Sequence, residues 1–475
     1  MLWNYTDNVP VLLSLQENHP VALAGRVSSF RRQGGIAFGH LQCPSGKIQF
    51  CLQKKTLGEE NFKLWTSQVK IGVHVGIAGS TWRSSTGEPT ILVGGRKNQD
   101  TGELEPWESC FSDGEEYSPR EYGSTLAGRP HPKMGAEHCF RLLQNVWKGF
   151  PDKVNGVSDP EKRLRLRYLD LALDPQAREL FLARSALISI IRDFLMESGF
   201  TEVETPTLVA QASGAMARPF VTHHNALESD LYLRIAPETY LKRAVAAGLG
   251  PVFEIGKQFR NEGIDPSHLQ EFTSLEWYAP YFTYKDNLVL FRQLLQRIGS
   301  STNIPASWAK KAWGWASSPV LDYRGLFEGR TGGLDTLSAQ ELDLLFKKEI
   351  RPTLIDPSVV IDYPAHLSPM AARKNNDPNT VEQWQFVVDG WELVKCYTEL
   401  TDPVLQRHLL EQQALEKANG NEEAMGLEED FLECMEYGIP PVSGLGLGVD
   451  RLVCLLAGKD SLRDVVLFPT LLNTK

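Results

Sequence analysis

The rhythm of apolar and polar positions changes along the chain. From residue 20 to about 95, short alternating runs follow one another (VALAGRV, AFGHLQ, GKIQFCLQ, VHVGIAG and PTILVGG), parted by Gly, Ser and Pro. Period-two runs bounded by turn residues predict strands, and five of them fit a small barrel of the OB type, with LGEENFKLWTSQ as its helical insert. Between residues 97 and 138 the alternation stops. Asp100, Glu103, Glu105, Glu108, Asp113, Glu115, Glu116 and Glu121 accumulate there among Pro and Gly, which predicts a solvated excursion with no core of its own.

Helical spacing then takes over. In PQARELFLARSALISIIRDFLMESGF, Leu180, Ala183, Leu187, Ile191 and Phe194 recur on one helix face, and Gly199 stops the run. TEVETP reads as a short strand, SGAMARP as a loop, LYLRIAP as a strand and ETYLKRAVAAG as a helix opened by Glu238. Residues 283 to 355 are mostly helical. WQFVVDGWELVKCYTELTDP is extended, with Lys395, Tyr397 and Glu399 on one side, and GLGLGVDRLVCLLAG is a glycine-rich strand running into a helix near Asp450.

One stretch departs from ordinary core patterning. PVFEIGKQFRNEGIDPSHLQEFTSLEWYAPY (residues 251–281) predicts a hairpin in which Gln258, Arg260 and Glu262 share one side. On its second strand Phe272, Ser274, Glu276 and Tyr278 do the same, with Thr273, Leu275 and Trp277 opposite. Unpaired charges buried at strand interiors cost several kcal/mol, so a face carrying an arginine, carboxylates, a phenol and a phenyl ring reads as a binding face. A polyanion beside a cation is the ligand pair that such a face suits.

Composition adds bounds. With 475 residues the chain is long enough for two or three domains, and 23% charged with 42% hydrophobic residues is ordinary for a globular protein. The formal net charge of -10 gives no global basic field, which leaves a local nucleic-acid patch open. Seven scattered cysteines without CxxC predict reduced thiols in a cytosolic protein rather than disulfides or zinc. No signal peptide or membrane-length apolar run is visible. GLGLGVD is followed by no βαβ unit and GxxxxGK[ST] is absent, so neither a dinucleotide fold nor a P-loop is predicted.

These residues carry a resemblance. FRNEG with EFTSLEWY resembles motif 2 of the class II aminoacyl-tRNA synthetases, GLGLGVDRLVCLLAG their motif 3, and the long helix ending in TEVETP their motif 1. Within the class, RYLDL, ARPFVTHHNAL, LYLRIAPE, FRNEGID, YTELTDP, EYGIPP and RDVVLFP are similar to signatures of the lysyl-tRNA synthetases. The resemblance implies an α+β protein: an N-terminal segment (1–19), an OB-fold anticodon-binding-like domain (20–150) with the acidic insertion, and a catalytic domain (151–475) of antiparallel sheet flanked by helices.

It also implies lysine, ATP and a lysine-accepting tRNA as substrates, magnesium, a homodimer, a cytoplasmic setting, and no membrane or DNA partner. Arg260, Arg451 and His268 would act on the reacting phosphates, with Glu262 at the adenine edge and Phe272 stacked on the base. Gly214 and Glu238 would receive the α-ammonium; Glu276, Tyr278, Lys395, Tyr397 and Glu399 would complete the amino-acid pocket. Glu392 would hold magnesium, with Gln385 in the place of a second ligand. In the barrel Phe38 and Gln42 are the candidate anticodon contacts, although on sequence alone Phe38 reads first as a core residue.

Some positions depart from the family pattern. The motif 2 loop has Ser267-His268-Leu269-Gln270-Glu271-Phe272 where the family has Arg-His-Asn-Pro-Glu-Phe. Lys395 replaces an asparagine and Gln385 a glutamate. Strict alternation places Glu392 and Lys395 on opposite faces, so their joint assignment requires a bulge. A paralogue activating lysine or an analogue for a non-tRNA acceptor, and a non-catalytic lysine- or RNA-binding module, are the alternatives.

Overall fold

Period-two patterning in the first segment closes into a barrel. The computed structural model describes residues 17–43, 46–106, 139–148, 150, 159–215, 217–263, 265–327, 337, 339–420 and 426–471. Two units emerge, Met1–Gly156 and Val157–Lys475.

In the first unit, strands β1 (Pro20–Gln33), β2 (Ile36–Cys43) and β3 (Gly46–Gln53) form an antiparallel meander. Helices α1 (Lys54–Leu57) and α2 (Glu59–Gln68) follow, then β4 (His74–Arg83) and β5 (Pro89–Val93). The order β1-β2-β3-β5-β4 closes because β4 pairs back onto β1. Closure removes the exposed strand edges that an open sheet would present. Leu23, Leu41, Phe50, Leu52, Val75 and Ile77 fill the interior, and α2 contributes Phe62 and Trp65. The acidic excursion begins differently from its expectation: β6 (Gly95–Lys97) pairs with β7 (Leu104–Pro106), and Arg96 binds Glu105 at 2.8 Å. The polar run at 98–103 is thus the turn of an ordered ribbon, tied by Asn98 Oδ1 accepting from the backbone N–H groups of Asp100 and Thr101. The remainder of the excursion lies outside the described residues. Strand β8 (Phe140–Gln144) adds to β4.

The second unit opens with α3 (Pro160–Arg165), α4 (Arg167–Leu173) and α5 (Pro175–Glu197), the last capped by Asp174 with Pro175 at its first position. After β9 (Thr201–Glu202), the strands β10 (Leu208–Val209), β11 (Val221–His224) and β12 (Ser229–Leu233) form a small separate sheet. Then come α6 (Glu238–Ala246), the hairpin β13 (Val252–Phe259) and β14 (Glu271–Pro280), and helices α7 (Tyr284–Gly299) and α8 (Ala306–Trp315). Strand β15 (Val320–Asp322), helix α9 (Ala339–Leu345), β16 (Ser358–Ile361) and the ribbon β17 (Arg373–Lys374) with β18 (Asp377–Val381) lead to β19 (Gln383–Val388) and β20 (Trp391–Thr398). Helices α10 (Pro403–Ala418) and α11 (Glu429–Glu436), strand β21 (Val442–Gly448) and α12 (Val449–Ala457) complete the unit.

Its main sheet runs β15-β16-β19-β20-β21-β14-β13-β9, antiparallel from β16 to β13. One face is apolar. Phe253, Leu275, Trp277, Phe386 and Leu445 pack there against Leu187, Phe291, Trp308 and Leu452 of the flanking helices. That burial, about 1.5–3 kcal/mol for each large side chain, fixes which way every strand residue points. The opposite face carries the polar set, between smaller apolar clusters around Val252 and Val387.

Candidate active site

The register of β13 with β14 brings the two polar sides onto one face. Gln258 pairs with Phe272, Gly256 with Ser274, Glu254 with Glu276 and Val252 with Tyr278. The same row continues through β21 and β20, since Glu276 pairs with Gly446, Gly446 with Lys395 and Lys395 with Gln385. The next row runs Tyr278, Gly444, Tyr397 and Gln383. Glycines in the central strand make a trough floored by backbone. Gly444 is the strictest of them: a Cβ there would collide with the Tyr278 ring and with Glu399 Oε1.

The bulge that the Glu392 assignment requires is present. Phe386 pairs with Val394, whereas Val387 pairs with Glu392, which leaves Leu393 as the extra residue. Leu393 and Val394 both enter the core on the helix side, so Glu392 joins Lys395 and Gln385 on the polar face.

At one end of the trough the charges are cationic. The Arg260 guanidinium lies 5.1 Å from the centre of the Phe272 ring, and Arg260 Nε is buried with no hydrogen-bond partner. Gln258 Oε1 and Ser274 Oγ are likewise buried and unpartnered. Clustered orphans of this kind mark where a polar ligand docks. Arg451, in the first turn of α12, donates to the Glu392 carbonyl at 2.7 Å. Burial pushes its pKa down; Arg260 and Arg351 push the same way against the attraction of Glu392. Arg260 and Arg351 both lie near Arg451, and a cluster of guanidiniums suits a polyanion. Asp450 ties the start of α12 to its neighbours, its carboxylate forming an ion pair with Arg184 at 2.6 Å and accepting from the Thr273 N–H at 2.7 Å.

The loop between β13 and β14 holds Glu262, half-buried, and His268, exposed. His268 Nδ1 lies 2.7 Å from Asp265 Oδ2, while Ser267 donates its N–H and hydroxyl to Asp265 Oδ1 at 2.7 and 2.8 Å. Burial opposes ionisation of Asp265, but these hydrogen bonds outweigh it and hold its carboxyl below the ordinary range. Ser267 therefore stabilises an ionised Asp265 where the family has an arginine.

At the other end the trough is acidic. Glu238, Glu276 and Glu399 converge with Tyr278 and Tyr397; Glu238, Tyr278 and Glu399 are buried, and Glu276 and Tyr397 half-buried. Tyr397 donates its hydroxyl to Glu238 Oε1 at 2.8 Å, and Tyr278 donates to Glu276 Oε2 at 3.3 Å. Burial, with Glu238 nearby, pushes the Glu276 carboxyl up to about 8; Arg260 acts against this. Both tyrosines stay protonated donors, raised by burial and then by the surrounding carboxylates. Gly214 sits beside Glu238 in a left-handed conformation (φ 82°), and its loop is pinned by Ser213 donating to Glu428. Lys395 is half-buried, its ammonium 5.8 Å from the Tyr397 ring centre.

A cation already occupies part of this acidic end. Lys242 of α6 is fully buried, and its ammonium donates to Glu238 Oε1 at 2.6 Å and pairs with Glu399 Oε2. In sequence, Glu238 and Lys242 look like any i,i+4 surface pair. Only the return of the chain at Glu399 distinguishes them.

In the barrel unit Phe38 and Gln42 lie half-buried on the outward face of β2, together with His40. Arg31 stands 5.8 Å from the Phe38 ring centre, so Phe38 is not a core residue. The Gln42 amide is committed to its own turn, donating to the carbonyls of Cys43 and Gly46 at 3.0 and 3.1 Å. Gln49 and Glu88, absent from the sequence reading, share the face: Gln49 donates to Glu88 Oε2 at 2.7 Å, and His40 Nε2 lies 2.9 Å from Glu88 Oε1. Their separation along the chain hid that grouping.

A sheet with a glycine trough between converging arginines and a carboxylate pocket, reached by three motifs in this order, defines a class. Residues 159–472 match the family model described as tRNA synthetases class II (D, K and N), and the chain belongs to that family. Among its relatives, the lysine–tRNA ligase of Aquifex aeolicus is 39% identical, covering 95% of this chain and 73% of the relative. That of Latilactobacillus sakei is 36% identical (96% and 86%), and that of Synechococcus sp. strain CC9311 is 35% identical (98% and 91%). No described helix is long and apolar enough to cross a membrane.

Proposed function

We propose that this chain activates lysine with ATP, giving lysyl-adenylate and pyrophosphate, and then transfers the lysyl group to the 3′ end of a lysine-accepting tRNA. The observation that carries this reading is the placement of Arg260 and Phe272 on the same sheet face as the Glu238–Glu276–Glu399 pocket. The nucleophile is a carboxylate, already ionised, so the chemistry needs no general base. It needs alignment and relief of the charge that builds on the α-phosphate.

Arg260 meets both demands, as its planar fork spans a substrate carboxylate and a phosphate oxygen. Phe272 offers a face to adenine, Glu262 its edge contact, and Arg451 with His268 neutralises the departing phosphates. The acidic end receives the two ammonium groups, with Glu238 and Gly214 at the α position and Glu399 and Tyr278 at the side chain. The outward barrel face carrying Phe38, Gln49 and Glu88 is the anticodon candidate.

Magnesium, when bound, supplies further neutralisation of the phosphates. Among the described residues no group of three His, Cys, Asp or Glu side chains is placed to hold a metal. The donor set fits an ion that arrives with ATP and takes a single protein carboxylate, Glu392. Gln385 adds no charge, and its Oε1 already accepts the Tyr363 hydroxyl at 2.8 Å. Homodimerisation through the α4–α5 segment is supported by the exposed Tyr168 and Leu182.

Amino-acid-dependent ATP–pyrophosphate exchange, run across the standard amino acids, tests the reading. Exchange with lysine above all others is expected; exchange driven by another amino acid, or by none, overturns it.

A further inference from the structure

A fully buried lysine within the amino-acid pocket is unusual, because an ammonium leaves water only when paired and hydrogen-bonded. Lys242 meets that condition with two carboxylates from distant parts of the chain, Glu238 one helical turn before it and Glu399 just beyond β20. The rings of Phe431 and Tyr397 stand 5.6 and 5.9 Å from its nitrogen and complete the cage.

This arrangement decides what is left for a ligand. Glu238 Oε1 is consumed by Lys242 and the Tyr397 hydroxyl. Glu399 Oε2 is consumed by Lys242, while its Oε1 is buried without a hydrogen-bond partner beside Tyr278 and over Gly444. Each carboxylate is therefore pinned by one oxygen to a shared ammonium. The separation between the two remaining acceptor positions is set by the protein. Charge points the same way. Glu238 and Glu399 share the one ammonium of Lys242, which leaves the pair net negative and able to hold a cationic ligand.

We infer that Lys242 is the positioning residue that selects which diamino acid the pocket accepts, by locking Glu238 and Glu399 around its own ammonium. The inference rests on the reading that this pocket takes lysine. Lys242 is enclosed by Glu238, Glu399, Tyr397 and Phe431, so its effect falls on amino-acid recognition and leaves nucleotide binding alone.

The test compares Lys242→Met with the wild type by calorimetric titration of L-lysine, of ornithine (one methylene shorter) and of ATP. Lysine affinity is expected to fall by about 100-fold and the lysine-to-ornithine preference to shrink by about tenfold, with ATP affinity unchanged. The pH profile of lysine binding is expected to move upward in the variant. Glu399, facing Glu238 from α6, Glu276 and Tyr278 from β14, and Tyr397 from β20, loses the ammonium it pairs with. Lys242→Arg keeps the charge on a different geometry and serves if the methionine variant does not fold; it is expected to fold and to alter the preference. An unchanged preference and pH profile in the folded variant overturns the inference. Failure of the wild type to bind lysine overturns instead the reading beneath it.

Discussion

Arg260 lies over the ring of Phe272, 5.1 Å from guanidinium carbon to ring centre, and both project from the trough face of the β13–β14 hairpin. In the proposed reading the pair stands at the junction between the nucleotide and the amino acid. Arg260→Lys is expected to lower lysine-dependent exchange by about 100-fold with the thermal transition unchanged, because a point charge cannot replace a fork aimed at two oxyanions. Steady-state exchange alongside circular dichroism checks this. Phe272→Ala should raise the KM for ATP about tenfold and leave that for lysine alone, the loss of one stacking surface.

The Glu276 carboxyl, raised to about 8 from 4.5, gives a pH dependence of defined sign. A cationic ligand binds the ionised form, so below about pH 8 lysine must expel a proton from Glu276, and affinity rises with pH from about 6 to about 8. The free enzyme behaves in the opposite sense. Its folded state holds that proton more tightly than the unfolded chain, so stability is lost as pH climbs from about 4.5 through about 8. Calorimetry in buffers of different ionisation enthalpy should detect the released proton, and Glu276→Gln should abolish it.

Gly444→Ala should weaken lysine binding by about 100-fold, because a methyl group there displaces the Tyr278 ring and Glu399 together. Titration with lysine reports the loss. ATP binding, which uses the arginine end, serves as the internal control.

Lys395 pairs across the strands with Gln385 and Gly446, in the row that reaches Glu276. We propose that its ammonium assists Arg260 with the substrate carboxylate. Lys395→Asn is then expected to raise the KM for lysine about tenfold, while cadaverine, which lacks the carboxylate, binds both forms equally. A difference with cadaverine as well would move Lys395 out of that role.

Much of this was visible in the chain because alternation is a strong signal where one sheet face is buried. Leu275 and Trp277 point into the core, so Ser274, Glu276 and Tyr278 had to point out of it, and the hairpin at 251–281 follows. The glycine-rich strand and Asp450 were readable for the same reason. The bulge at Leu393 was not, since an extra apolar residue in an apolar run carries no mark; only the conflict between Glu392 and Lys395 required it. Lys242 was hidden because its second partner, Glu399, lies more than a hundred residues away and joins it only in the folded pocket. The ribbon at 95–106 was masked by its acidic turn, although Arg96 and Glu105 stand at positions that pair once the strands form.

Lysine-dependent pyrophosphate exchange and charging of a lysine-accepting tRNA, measured side by side on the wild-type chain, test the central claim most directly. Both activities are expected, with lysine preferred over ornithine and over every other standard amino acid. Exchange without charging would move the lysyl group to a different acceptor, and absence of lysine-dependent exchange would contradict the assignment of the Glu238–Glu276–Glu399 pocket itself.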